Sequence, residues 1–221
     1  MTKKSLLLTG ELSLTSAVLI LLYVVYQLWF TNVVAESASS AMAAEVKEKL
    51  ELSFVAPEGE EIEVYDRAPE PEIGFALVYI PKLKADVWGV PLVEGTTHKA
   101  LASGIGHYSN TELPGEIGNF AIAGHRATNG EPFARFERLA EGDLVYIHST
   151  AGWFVYELVA DQKIPSTATW VLDDQPAGLE IDSNQLITLT TCDPRWNSTQ
   201  RWAWWGKLIS AGPDAPKELA Q

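Results

Sequence analysis

Along this 221-residue chain the spacing of apolar and polar positions changes three times. Residues 12–30 (LSLTSAVLILLYVVYQLWF) are 19 mostly apolar positions without a charge. As a helix they are long enough to cross the roughly 30 Å hydrocarbon core of a bilayer. From Glu36 onward Ala38, Met42, Val46, Leu50 and Phe54 recur every fourth position, with Glu45, Lys47, Glu48, Lys49 and Glu51 between them. That spacing predicts an amphipathic helix, read equally well as a stalk or as a helix docked on the body that follows. Pro57, Pro69 and Pro71, among Glu58, Glu60, Glu61 and Glu63, then predict a self-repelling extended linker. From Gly74 the texture becomes short apolar runs broken by Gly, Pro, Asn and Asp, which predicts an all-β barrel or sandwich. The predicted strands are 75–80, 85–89, a short piece near 101–105, 119–125, 143–149, 153–159, 185–192 and 202–209. One helical turn is expected over 99–102. A helix is expected over 132–141, with Phe133, Phe136 and Leu139 on one side. The organisation is therefore a cytoplasmic N-terminus (1–11), an anchor (12–30), a helix and acidic linker (31–72), a β domain (73–210) and a loose C-terminal tail (211–221).

Charge sharpens this organisation. Lys3 and Lys4 precede the apolar run, whereas residues 31–72 hold eleven acids and three bases. The positive-inside bias puts the N-terminus in the cytoplasm and everything after residue 30 outside, a single-pass arrangement at the plasma membrane. Tyr23, Tyr26 and Trp29 fall towards the outer end of the span, where aromatic rings favour the headgroup level. A cleaved signal peptide is the competing reading. It is disfavoured because the run exceeds an ordinary apolar region and because Trp29 and Phe30 occupy the exit where small residues would be needed. A net charge of −13 offers no basic stripe for phosphates and excludes nucleic acid as a partner.

The chain holds one cysteine, Cys192, at the end of the predicted strand 185–192. With no second thiol in the chain it is either a small buried apolar residue or a nucleophile. Thr188, Thr190 and Cys192 share the more polar face of that strand, and Ile187 and Leu189 the other. His125 closes the run 119–125, and Arg201 opens the apolar run 202–209. A free cysteine with an ordinary pKa of about 8.5 is ionised to only a few per cent at neutral pH, so a thiol nucleophile needs a proton acceptor and a cation beside it. Histidine supplies the first and arginine the second. Taken singly, each has a bland alternative: a core thiol, a structural imidazole, a solvated strand-end charge. Arg195 competes with Arg201, but Pro194 predicts a turn that sends it to the loop surface. Arg126 should point to the face opposite His125. The histidines at 98, 107, 125 and 148 are scattered, so no metal site and no cofactor is expected.

The ordered set Gly106-His107-Tyr108, Leu113-Pro114-Gly115, Gly118 to Arg126 (GNFAIAGHR), Glu141-Gly142-Asp143, Thr188 to Cys192 (TLTTC) and Arg201 resembles the sortase family, and most closely class E sortases of actinobacteria. The resemblance spans about residues 73–210. It implies an eight-stranded sortase-type β-barrel and a cysteine transpeptidase with Cys192, His125 and Arg201 as catalytic residues. It further implies a Leu-Ala-x-Thr-Gly or Leu-Pro-x-Thr-Gly sorting motif on secreted proteins, cut between Thr and Gly through a thioester. A peptidoglycan precursor amine then receives the acyl group. Thr190, Thr191, His107, Tyr108 and Trp170 are the expected substrate-binding residues, His107 and Tyr108 being read equally well as core contacts, with Ile164, Pro165, Val171 and Leu172 as an apolar wall. Asn129 stands where class E chains often carry an aromatic residue. The alternatives are an extracellular cysteine peptidase or amidase, a pilin-polymerising sortase, and a non-catalytic anchored barrel.

Overall fold

A computed structural model describes residues 3–53 and 69–220. The first element, α1 (Lys3–Ser53), is one uninterrupted helix, so the two helices expected at 12–30 and 36–54 are a single rod. No glycine or proline stands between residues 11 and 56 to break it. Its segment Leu7–Leu52 contains a stretch apolar and long enough to cross a membrane. Leu12, Leu14, Leu19, Ile20, Leu21 and Tyr23 are all exposed there.

The second half of α1 docks on the β domain. Val46 and Leu50 are buried against Leu77, with Ala43 and Tyr79 beside them. Ala35 is buried as well. Ala38, expected on this face, is exposed. A strict repeat of four gains about 40° per step against a 3.6-residue turn, so the buried stripe instead alternates threes and fours. Phe54 and most of the acidic linker lie outside the described residues.

Eight strands follow: β1 (Gly74–Tyr79), β2 (Trp88–Glu94), β3 (Ile105–His107), β4 (Gly118–Ala123), β5 (Leu144–Ser149), β6 (Gly152–Pro165), β7 (Gln185–Asp193) and β8 (Gln200–Gly212). They close a barrel in the order β1-β2-β3-β4-β7-β8-β6-β5. The β2–β3 and β4–β7 pairs are parallel, and the other pairs antiparallel. Alternation fills the interior: Ala76, Val78 and Ile80, Phe120 and Ile122, Val145 and Ile147, Tyr156 and Leu158, and Ile187 and Leu189 form one buried cluster with Trp204.

Five boundaries differ from expectation, the first being the strand placed at 153–159, which is β6 and runs on to Pro165. The strand placed at 85–89 begins at Trp88 and runs through Pro91. Proline is tolerated there because the pairing with β3 starts only at Leu92. The piece placed near 101–105 is instead a helix, α2 (His98–Ser103), followed by β3; the Thr97 hydroxyl caps it by accepting from Ala100 N at 3.2 Å. The helix placed at 132–141 is a single 3-10 turn, Phe136–Arg138, although Phe133, Phe136 and Leu139 are buried as expected. The tail is folded: β8 extends to Gly212, and Leu219 packs near Trp153.

Candidate active site

The end of β7 is held by its neighbours on both sides. Residues Gln185 to Thr190 of β7 run parallel to β4, with Ala123 opposite Thr190. Gly124 N continues the ladder to the Thr190 carbonyl at 3.1 Å, and the Thr191 hydroxyl donates to the Gly124 carbonyl at 2.8 Å. His125 and Cys192 are each two residues past the Ala123–Thr190 pair, so the parallel register carries them to adjacent strand ends. Gly124 lets the Phe133 ring pack against this strand end, since a Cβ there would lie 2.6 Å from it. On the other side β7 runs antiparallel to β8 and Cys192 is directly opposite Arg201. Side chains opposite one another share a face, with Cβ atoms about 5 Å apart. The same Arg201 faces Ile164 of β6 across its other edge.

Cys192 is a free thiol of intermediate burial. His125 Nε2 is buried and meets no hydrogen-bond partner among the described residues. The His125 ring touches His98 of α2 edge to face, centroids 5.9 Å apart. Burial, and then the charge of His98, hold the His125 imidazole below its ordinary pKa. Its resting form at neutral pH is therefore the neutral ring. The Arg201 guanidinium donates to the Gln200 carbonyl at 3.0 Å and to the Ser198 carbonyl at 3.4 Å, bonds within its own turn that a substrate carbonyl can replace.

The other two arginines are held by acidic partners, although Arg126 Nη1 also donates to the Cys192 carbonyl at 3.4 Å. Arg126 points beneath the site, as its alternation with His125 predicts, and pairs with buried Asp193 and with Glu137. Lys163 reaches the same Asp193 carboxylate at 3.1 Å. Burial opposes the Asp193 charge, but the bonds from Lys163 and Arg126 outweigh it and hold the carboxyl below its ordinary range. Both cations also lie over the Trp202 indole, Arg126 Cζ at 5.1 Å and Lys163 Nζ at 4.7 Å from the ring centroid. Arg195 pairs with Glu131.

The expected substrate-binding residues divide. Thr190 and Thr191 are buried with their hydroxyls bonded, Thr190 to the Ile122 carbonyl and Tyr108 and Thr191 to Gly124, so they build the strand end. His107 is a core residue and does not line the groove: it is fully buried, with Nδ1 2.6 Å from Glu94 Oε2 and Nε2 3.0 Å from the Glu112 carbonyl. Phe75 and Phe120 enclose it. Tyr108, half-buried, lies on the outer face of β7, its hydroxyl 2.9 Å from Thr190. Trp170 stacks on Trp205 at 6.0 Å in an apolar cluster with Ile164, Val171 and Leu172.

His98, Asp193 and Glu131 were not singled out by the sequence. His98 and Glu131 reach the site from other elements, and no spacing along the chain signals such contacts; Asp193 adjoins Cys192 on β7, but its pairing with Arg126 and Lys163 is made across strands. Glu131 belongs to a turn in which Thr128, Asn129, Gly130 and Glu131 all have positive φ. Such geometry is unfavourable for Thr and Glu and persists only where neighbours hold it. Two do: Arg195, and Asn32 of α1, which donates from Nδ2 to Glu131 Oε1 at 3.1 Å and accepts from Gly130 N at 3.3 Å.

A profile of the Sortase domain family matches residues 78–209. Sortase SrtE1 of Streptomyces coelicolor is 36% identical over 214 residues, covering 92% of this chain and 57% of that protein. Sortase SrtE2 of the same organism is 31% identical over 227 residues, covering 95% of this chain and 86% of that protein. Among solved structures, sortase E from Streptomyces avermitilis superposes with a TM-score of 0.61 at 38% identity, over 68% of this chain and 99% of that one. Sortase E1 from Streptomyces coelicolor, with a tripeptide in its active site, gives a TM-score of 0.62 at 35% identity, over 69% and 99%.

Proposed function

Because the chain belongs to the sortase family, a family of cysteine transpeptidases, we propose that it joins secreted proteins bearing a C-terminal sorting motif to a cell-wall amine, with Cys192 as nucleophile, His125 as proton carrier and Arg201 as oxyanion donor. The observation that carries this reading is the position of Cys192 between the end of β4, where His125 follows, and Arg201 directly opposite on β8. Neutral His125 takes the thiol proton as the sulfur attacks the carbonyl carbon of the motif threonine. Arg201 donates to the oxygen that becomes negative. As the Thr–Gly bond breaks, His125 passes that proton to the departing glycine amine, and a thioester remains. The acceptor amine attacks the thioester, His125 takes its proton and returns it to the departing sulfur, and the enzyme is restored.

Tyr108 and Trp170 flank the groove on the outer side of β7, and half-buried Trp170 and Leu172, backed by buried Ile164 and Val171, offer the apolar wall for the motif's leucine. Residues 12–30 of α1 cross the plasma membrane with the N-terminus in the cytoplasm, so the barrel stands outside, where the acceptor is a peptidoglycan precursor.

Incubating the purified chain with Leu-Ala-x-Thr-Gly and Leu-Pro-x-Thr-Gly peptides, with and without a glycine-based amine, tests the reading by mass spectrometry. A thioester on Cys192 and a peptide–amine product are expected, and both should vanish in Cys192→Ala. Hydrolysed peptide as the sole product at every amine concentration would instead establish the peptidase reading.

A further inference from the structure

The end of the barrel that carries Cys192 and His125 is tied to α1 at the level where its apolar span ends. Asn32 is two residues past Phe30, about 3 Å along the axis at 1.5 Å per residue. Its side chain bonds Gly130 and Glu131. Glu131 in turn pairs with Arg195 in the loop between β7 and β8. The docked stripe from Ala35 to Leu50 then extends about 22 Å away from the span. The next residue of that loop, Trp196, is a tryptophan with 67% of its surface exposed, its ring 5.1 Å from the Arg195 guanidinium. Around it Pro194, Asn197, Ser198, Thr199 and Gln200 are exposed and uncharged. In a chain of net charge −13, residues 194–200 hold no acid, and the facing turn 127–132 holds only Glu131, already paired. The opposite end of the barrel, where β4 and β7 begin, carries Glu112, Glu116 and Asp182.

We propose that the 194–199 loop is a second membrane contact, with Trp196 seated in the lipid headgroup layer and the catalytic rim held facing the bilayer surface. An indole with an apolar body and one N–H donor favours that layer, and the neutral loop avoids the cost of bringing carboxylates to an anionic surface. A substrate or acceptor that is itself membrane-tethered then meets Cys192 without leaving the surface. The inference rests on the proposed anchor reading of residues 12–30.

The test uses the full chain in a Cys192→Ala background, reconstituted in vesicles of phosphatidylglycerol and phosphatidylethanolamine. An environment-sensitive fluorophore is placed in turn through Trp196→Cys, Ile117→Cys and Leu21→Cys, Ile117 being 72% exposed at the far end of the barrel. Lipids spin-labelled at the headgroup should quench the 196 label and blue-shift its emission while leaving 117 unaffected, and chain-labelled lipids should quench 21. A quenched 21 with an unquenched 196 overturns the headgroup contact alone. Equal quenching at 196 and 117 also overturns it, because the barrel would then lie on its side. An unquenched 21 overturns the anchor and this inference together.

Discussion

His125 and His98 meet edge to face at 5.9 Å, and this contact contributes to the pH range over which the proposed proton carrier works. Burial is the larger reason that His125 is held below its ordinary pKa, and the His98 charge the smaller. His98→Ala removes only the second. The His125 titration, followed by NMR in a Cys192→Ala background, should therefore move up yet stay below an unperturbed imidazole, and added salt should shrink the difference between variant and parent. With an intact thiol, the acidic limb of kcat/KM should move to higher pH in the same variant. An unchanged midpoint would mean that the ring contact has no electrostatic consequence. Cys192, His125 and Arg201 were legible in the sequence because each sits at a strand end, where alternation and turn residues mark both position and face. His98 was not, because it precedes the helical turn expected over 99–102 and its contact with His125 arises only when the barrel closes. His107 was open for the converse reason: a His-Tyr pair beside a loop reads as groove or as core, and the Glu94 carboxylate that holds it in the core comes from a different strand.

Between elements, the α1–β1 seam carries the next expectations. Leu50 is 2% exposed, so Leu50→Ala should cost about 2–5 kcal/mol of docking and packing. Gly74 is equally informative, because a Cβ there would stand 2.7 Å from both Met42 Sδ and Val46 Cγ2. Met42 can swing aside, but the branched Val46 has no such freedom, so Gly74→Ala should loosen the seam. Hydrogen exchange should report both as faster exchange of amides in 42–53 with β4 and β7 unaffected; protection equal to the parent would show that the seam contributes nothing. The amphipathic pattern of this helix was legible, but whether it docked was not, since an apolar stripe does not say what covers it. Beside that seam, the β5 residue His148, directly opposite Leu77, stacks on Trp153 of β6 at 4.0 Å and 6°, and burial pushes its pKa from 6.5 down to about 4. The unfolded chain thus takes up a proton before the folded one does. The resulting stability is full above pH 6.5 and is lost as pH falls towards 4. His148→Phe keeps the stack and removes the titration, so the fall in Tm over that interval should be shallower than in the parent; parallel curves would refute the assignment.

For the whole molecule, the continuity of α1 makes the membrane span and the barrel one mechanical unit. Asn32 and Leu50 are 18 residues apart, five turns at 3.6 residues per turn, so the turn-binding amide and the docked leucine share a face. Between them a groove of about 360 Å³ separates helix from barrel, lined by Ser39, Ser40, Leu101 and Pro132 among others. The helix therefore holds the barrel at both ends of its docked stretch, and the first contact holds the positive-φ turn that begins three residues after His125. One alanine inserted after Ser40 would rotate the two contacts about 100° out of phase, so that only one can form. Val46 and Leu50 bury apolar surface while Asn32 makes exposed or half-buried hydrogen bonds, so the apolar contact should win and the turn should be released. Exchange at amides 128–133 should then rise, and transpeptidation by the reconstituted chain should fall. Asn32→Ala should reproduce both effects without altering helix register. Seven inserted residues make nearly two turns and restore the face, but they move the span about 10 Å from its present level, so exchange should still rise. If all three variants keep the parent's exchange and rate, the helix is a tether whose contact with the catalytic turn has no consequence for the site.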